Sequence, residues 1–323
     1  MSIPSLDKAA QSGATISTDT QTWGKNSAAD PAFHSQKYAE WIASLKRADI
    51  FPAEQLLPRI IEQDCVRWSP AMERSGQRPT SPELLAHVRA HNWGYWFPLG
   101  GGETTLGPAS AERAITRRAW QLMLYRMNSI NAAVAELYGN DLTGKSVLDL
   151  ACNHGAFSLD LVARGAASAR GVDLREENIV KARLLAHHVG LDNVEFERGD
   201  IYEESGPGHI VLCLGVLYHV TKPYELVELC YRLCTEMAVI DTVTHREPFS
   251  GFILGLGQMI GAEHAAGAVR TELHPTYRGL IDLMRSVGFR EIIEAEGIPD
   301  QSWIDWGKAA YANKTRRCLI GLK

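Results

Sequence analysis

The chain has no uninterrupted apolar run of 18 residues, so no membrane-spanning helix is expected. Its first 25 residues, MSIPSLDKAAQSGATISTDTQTWGK, lack the apolar centre of a secretory signal, which makes the cytoplasm the expected location. It has no large excess of one charge sign. The 33 basic residues face 38 acidic ones, a net charge of −5, and the broad positive field that draws nucleic acid is missing. None of the six cysteines, at 65, 152, 213, 230, 234 and 318, belongs to a CxxC pair, so neither a zinc ribbon nor a disulfide framework is expected. No internal repeat or low-complexity tract is seen.

Apolar residues make up 45% of the 323 positions and charged residues 22%, as in folded domains, and the length suits one large domain or two modest ones. Residues 1–30 are rich in small polar residues and read as a flexible arm. Residues 31–140 read as a mainly helical cap. Tyr38, Trp41, Ile42 and Leu45 recur at helical spacing, and Leu56, Ile60 and Ile61 continue the pattern. Residues 69–82 read as a Pro- and Ser-rich break, with Thr80 or Ser81 capping a helix that begins near Pro82. The aromatic, then glycine-rich stretch 91–107 reads as a loop or short hairpin, and 109–139 as one long helix.

From residue 141 the pattern changes to alternation. Strands are expected at 146–150, 169–173, 194–198, 209–214 and 237–241. Helices fall between them at 156–164, 176–189 (ended by Gly190) and 222–234. After an insertion at 245–275, a helix at 276–287 stops at Gly288, and two strands follow at 289–295 and 316–322. Strands alternating with helices predict an α/β fold: a doubly wound, Rossmann-like, mostly parallel seven-stranded sheet with a helical N-terminal extension and a lid inserted after the fifth strand.

In such sheets ligands sit at the C-terminal strand ends. The first strand ends in Asp149 and enters the turn Ala151-Cys152-Asn153-His154-Gly155. A dinucleotide fingerprint, G-x-G-x-x-G, finds no glycine when laid from 151. The acid-x-G-x-G-x-G pattern of S-adenosylmethionine enzymes aligns better, with Asp149, Ala151, Asn153 and Gly155. Alanine is the smallest substitute for glycine, and asparagine tolerates positive φ. Asp173 ends the second strand, where a carboxylate can accept ribose hydroxyls. Asp200, after Gly199, ends the third, where it can accept from an adenine amine while Ile201 packs on the ring. Any one of these acids alone reads equally well as a helix cap.

Residues 146–243 resemble the core of a class I S-adenosylmethionine-dependent methyltransferase (EC 2.1.1.-). Gly215-Val216-Leu217-Tyr218-His219 is similar to the GVLYH segment of bacterial tRNA wobble-uridine carboxymethyltransferases and their relatives, and the loop LGGGETTLG (99–107) resembles a segment preceding the core in those relatives. The resemblance implies S-adenosyl-L-methionine as cofactor. Asp149, Ala151, Asn153 and Gly155 would line its methionine end, Asp173 its ribose, and Gly199, Asp200 and Ile201 its adenine. Leu214 and Gly215 would lie beneath the sulfonium, with Tyr218 and His219 on the substrate side.

His219 is the candidate base, since an imidazole titrates near neutrality, and Tyr218 orients the substrate or meets the sulfonium. Phe249, Phe252, Ile253, Leu254, Leu256, Met259 and Ile260 of the insertion would wall a partly hydrophobic pocket, or bury as a helix. Trp303, Trp306 and Tyr311 would close it, or serve as core or surface aromatics. His245, Glu263, His264, Glu272 and His274 lie in one region but lack a helical ligand spacing, so no metal is expected. His187-His188 read as a solvated or boundary pair. Arg316-Arg317 read as surface charge, with an anionic substrate group as the alternative.

The favoured function is methyl transfer to a small, partly hydrophobic metabolite, without nucleic acid or membrane as partner. The N-terminal helices would then cover the pocket or form a dimer interface. The alternatives are a tRNA wobble-uridine methyl or carboxymethyl transferase and a non-catalytic binding module of the same fold.

Overall fold

A computed structural model of the chain describes residues 59–62, 69–93, 97–108, 114–256, 271–296, 311 and 314–323. The expected arm at 1–30, the helical pattern through Tyr38 to Leu56, Cys65, Met259, Ile260, Glu263, His264, Trp303 and Trp306 lie outside these residues.

The elements run β1 (Arg59–Glu62), α1 (Pro70–Gln77), α2 (Pro82–Arg89), the short pair β2 (Glu103–Thr104) and β3 (Gly107–Pro108), and α3 (Ala114–Leu137). Then come β4 (Ser146–Leu150), α4 (Ala156–Ala163), β5 (Ser168–Asp173), α5 (Glu176–Val189), β6 (Val194–Arg198), β7 (Gly208–Leu214), α6 (Pro223–Leu233) and β8 (Cys234–Val243). The hairpin β9 (Phe252–Leu256) and β10 (Thr271–Pro275), helix α7 (Tyr277–Val287), β11 (Glu291–Glu296) and β12 (Arg316–Leu322) complete the order.

The seven expected strands form one sheet, to which β1 adds an eighth in the order β1-β11-β12-β8-β7-β4-β5-β6. The central pairs β8–β7, β7–β4, β4–β5 and β5–β6 are parallel, and β12 is antiparallel to both β8 and β11. Alternation along the strands divides the core. Val147, Ile210, Leu212, Met237 and Val239 join the apolar cluster with α3, α4 and α5. Leu148, Val211, Cys213, Ala238 and Ile240 join the cluster with α6 and α7. Side chains in a strand point to opposite faces in turn, so each buried strand feeds both layers.

The sequence reading differs from the structure in three places. Ile60 and Ile61, assigned to a helical pattern, lie in β1, paired parallel to β11. Two β-branched residues in a run this short fit a pleated edge as well as a helix face. Residues 70–77, assigned to a break, are helical. Ser69 caps α1 by accepting from the Met72 amide, and Pro70 occupies its first turn, just as Ser81 and Pro82 start α2. Both Ser-Pro pairs are helix starts. The insertion at 245–275, offered as a lid or buried helix, forms the antiparallel hairpin β9–β10 where it is described, with Leu254 exposed.

Arg316-Arg317 are not surface charge. Both guanidiniums are largely buried: Arg317 pairs with Glu294 and lies over the Tyr277 ring at 3.5 Å, while Arg316 contacts Asp241 at 2.5 Å. Asp241, fully buried at the C-terminal end of β8, also pairs with Arg126 of α3 and accepts from the Tyr311 hydroxyl. Tyr311 is therefore a core residue, its hydroxyl accepting from Arg126 Nε at 2.7 Å. Burial alone would raise the Asp241 carboxyl, but Arg126 and Arg316 outweigh it and hold it below the ordinary carboxylate range. A carboxyl lowered in this way contributes its stability above the unfolded value near 4 and loses it only as pH falls through the folded value. At pH 7 the ion pairs are fully formed. Asp241→Asn leaves two buried guanidiniums facing one neutral amide and is expected to cost about 3–5 kcal/mol, read from the urea midpoint. A loss below about 1 kcal/mol would contradict this role.

Candidate active site

Strand order reverses between β4 and β7, because the chain leaves β4 toward β5 and β6 and returns to build β7 and β8 on the other side. Such a switch point opens a crevice at the C-terminal strand ends. The segments singled out from the sequence converge there. The 151–155 turn follows β4, Asp173 ends β5, Gly199 and Asp200 follow β6, and Gly215 through His219 follow β7.

The turn keeps the backbone of a three-glycine motif with only one glycine. Ala151, Asn153 and Gly155 have φ of 61°, 51° and 73°. The left-handed region thus recurs at the three positions where glycines would stand. Gly155 allows no substitute, since a Cβ there would lie 2.3 Å from the Phe196 ring. The Asn153 amide donates to Asp173 Oδ2 at 3.0 Å, tying the turn to the end of β5. Asp173 Oδ1 accepts from the Arg175 amide at 2.9 Å and from Asn178 Nδ2 at 3.1 Å, and the Gly199 amide donates to the Asp173 carbonyl at 3.1 Å. Asp173 therefore fixes the turn and the start of α5 through its carboxylate, and the end of β6 through its backbone carbonyl. Asp200 accepts from the Tyr202 amide at 3.0 Å and caps the short 3-10 helix Ile201–Glu203, so it does hold the capping role open to any such acid. Ile201 is buried behind it, and Leu174, beside Asp173, is half exposed.

Asp149 is buried under the turn, and the Ser158 hydroxyl donates to it at 2.7 Å. Burial first, and the Asp173 charge in addition, push its carboxyl up to about 7, against the lowering effect of Ser158. His154, packed edge-on against Trp93 with centroids 5.3 Å apart, goes the other way: burial and the Lys181 charge push it down to about 3. The His154 ring is a neutral core group. The Oδ1 atom of Asn153 is buried and has no hydrogen-bond partner among the described residues. A buried amide oxygen left unpaired in a turn of left-handed residues, over a carboxyl held near neutrality, fits a ligand bearing an ammonium and hydrogen-bond donors. The residues present therefore suit the methionine end of the cofactor that the sequence implied.

After β7 the chain turns sharply at Gly215, whose φ is 86° and whose amide donates to the Asp241 carbonyl at 2.7 Å. A Cβ at this position would meet Arg316 Nη2 at 2.9 Å. The following 3-10 helix, Leu217–His219, places Tyr218 against His219 with ring centroids 4.0 Å apart. His219 Nδ1 lies 3.2 Å from Glu272 Oε1 on β10, and Glu272 Oε2 lies 2.8 Å from His274 Nε2. Sequence reasoning grouped Glu272 and His274 only as metal-ligand candidates and missed the pairing with His219. The available signal was their period-2 spacing, which puts both on one face of a strand. His188, one of the pair read as solvated or boundary, is buried, its Nε2 lying 3.1 Å from the Ser75 carbonyl.

A left-handed alanine carries strain of about 1 kcal/mol, which glycine relieves. Ala151→Gly is expected to stabilise the protein by about 1 kcal/mol, raising the melting temperature by roughly 2 °C in calorimetry. Destabilisation would contradict the assigned backbone.

Comparisons with known proteins identify the family. A methyltransferase-domain family matches residues 141–251. The ubiquinone biosynthesis O-methyltransferase of Idiomarina loihiensis is 29% identical over 209 residues, 64% of this chain and 76% of that protein. The same enzyme of Erwinia tasmaniensis is 30% identical over 177 residues, 52% of this chain and 71% of that protein. Among solved structures, the N-terminal domain of EvdMO1 with SAH bound shares the fold with a TM-score of 0.52 at 17% identity, across 76% of this chain and 98% of that one. The chain belongs to the class I S-adenosylmethionine-dependent methyltransferases, and S-adenosyl-L-methionine is its cofactor.

Proposed function

We propose that this methyltransferase acts on a hydroxyl oxygen of a small, partly hydrophobic acceptor, by in-line displacement with His219 as the base. The observation that carries the reading is the common placement of two features. The turn at 151–155 and the segment 215–219 leave the same end of the neighbouring strands β4 and β7, which pair in register from Val147–Ile210 to Leu150–Cys213. The curated relatives, which are O-methyltransferases by name, support oxygen as the acceptor atom.

The cofactor supplies a methyl group already activated by positively charged sulfur. The protein's task is to place an oxygen in line with it and to remove the hydroxyl proton. In this reading Asp149, Ala151, Asn153 and Gly155 hold the methionine end, Asp173 the ribose, and Gly199, Asp200 and Ile201 the adenine. Leu214 and Gly215 form the floor under the sulfur. Tyr218 orients the acceptor and His219 accepts its proton. The half-exposed Leu174 adds an apolar surface beside Asp173. Helices α1, α2 and α3 pack on the α4–α5 side of the core: Lys181 Nζ donates to the Asn92 carbonyl, and Asp160 accepts from the Ala71 amide at 3.3 Å.

Among the described residues no helix is long and apolar enough to cross a membrane, which accords with a cytoplasmic enzyme meeting a diffusible acceptor. A tRNA acceptor rests on the GVLYH and LGGGETTLG likenesses, against a net charge of −5 that gives no broad positive field for phosphates.

The test is transfer of radiolabelled methyl from S-adenosylmethionine to a panel of 4-alkylphenols, 4-alkylcatechols, sugars and total tRNA. Label is expected in the alkylated hydroxyl compounds as a methyl ether, and His219→Asn should reduce it by about 100-fold or more. Label in tRNA with none in any small hydroxyl compound would overturn the reading.

A further inference from the structure

The hairpin β9–β10 carries side chains that the function above leaves unused, and they form a connected chain ending on His219. His219 Nδ1 lies 3.2 Å from Glu272 Oε1, Glu272 Oε2 lies 2.8 Å from His274 Nε2, and His274 Nδ1 lies 3.3 Å from His245 Nε2. The two distal rings stack with centroids 5.4 Å apart. Backbone bonds frame the chain: the His245 amide donates to the Pro275 carbonyl and the Tyr277 amide to the His245 carbonyl, each at 3.0 Å. Tyr218 fills the space between, 4.0 Å from the His219 ring and 5.7 Å from that of His274, with the Arg316 guanidinium 5.9 Å from its centroid.

The proton order in this chain is fixed by chemistry. An ionised carboxylate only accepts, so the His274 nitrogen hydrogen-bonded to Glu272 must donate, and the negative charge 3.2 Å from His219 Nδ1 favours the proton on that nitrogen. His274 then carries its proton on Nε2 and a lone pair on Nδ1, and His245 donates to that lone pair from its own Nε2. Burial, and the neighbouring His274, hold the His245 ring below its ordinary value, which favours this neutral arrangement. Donation runs from His245 through His274 to Glu272, which His219 meets from the other side.

We propose that Glu272 is the positioning residue for His219, locking its imidazole with the proton on Nδ1 and the lone pair on Nε2, while His274 and His245 hold the Glu272 carboxylate in place. The inference rests on His219 being the base. In the step it serves, the acceptor oxygen forms a bond to the methyl carbon as the carbon–sulfur bond breaks and its electron pair returns to sulfur. The hydroxyl proton passes to His219 Nε2. The resulting imidazolium is stabilised by the anionic Glu272, which takes no proton, and later releases its proton to solvent. Products are the methyl ether, S-adenosylhomocysteine and one proton.

The test reads the tautomer directly, with no need for turnover. Long-range proton–nitrogen correlation of ¹⁵N-histidine-labelled full-length protein saturated with S-adenosylhomocysteine reports which ring nitrogen is protonated, and His219→Asn assigns the signals. His219 is expected as the Nδ1–H form in the native protein and is expected to lose that preference in Glu272→Leu, where the facing charge is gone. With a 4-alkylcatechol as acceptor, Glu272→Leu should lower kcat by about 100-fold with KM changed by less than about threefold. Glu272→Gln keeps an acceptor oxygen and removes the charge. It should preserve the Nδ1–H form and lose about tenfold in kcat, which keeps the test open if the leucine variant does not fold. An Nε2–H form in the native protein would overturn both the role of Glu272 and proton transfer to His219 Nε2, whereas native kcat in both Glu272 variants while His219→Asn is inactive would overturn the role of Glu272 alone and leave His219 as the base. Full turnover by His219→Asn would overturn both.

Discussion

Three residues held in the left-handed backbone region at alternate positions, over a buried carboxyl, are the constraint on which this site depends. Ala151, Asn153 and Gly155 supply that geometry, and Asp149 lies beneath them. Only Gly155 is forced to be glycine, because Phe196 occupies the space a side chain would need. At 151 and 153 a modest strain is tolerated. In return Asn153 brings a side-chain oxygen that glycine lacks, and that oxygen has no partner among the described residues. The turn's departure from a three-glycine motif is thus a change of side chains on a retained backbone.

Around the turn the sheet distributes charge so that a few groups perform several tasks. Asp173 binds the turn amide and the start of α5 through its carboxylate and the β6 end through its backbone carbonyl. Asp241 neutralises Arg316 beside the bend at Gly215, while Arg126 joins α3 to the same cluster. The β4–β5 side carries Asp149 and Asp173, where the methionine and ribose ends of the cofactor are proposed to lie.

Much of this was legible in the sequence because it is local. The acids stand at the ends of the short strands expected at 146–150, 169–173 and 194–198, and Gly190 and Gly288 stop their helices as read, both in left-handed caps. The tolerance of alanine and asparagine at 151 and 153 follows from their size and chemistry, and the structure gives both the expected positive φ. Pairings between residues far apart in the chain were not legible. Arg316 meets Asp241 across 75 positions, and nothing adjacent to Arg316-Arg317 distinguishes a buried pair from surface charge. Glu272 meets His219 only because a hairpin brings β10 against the end of β7. The helix at 70–77 was missed for a different reason: Ser-Pro was read as a loop signal, although serine before proline is equally a cap followed by a first turn.

The central claim, that the turn and Asp149 grip the amino end of S-adenosylmethionine, is tested most directly by calorimetric titration of S-adenosylhomocysteine at pH 6, 7 and 8. In the free protein burial holds the Asp149 carboxyl protonated up to about 7, whereas a bound ammonium favours the anion. The account predicts that affinity weakens by up to about tenfold per pH unit below 7, with proton release on binding, and that Asp149→Asn abolishes the trend. Affinity independent of pH and unchanged in Asp149→Asn would contradict it.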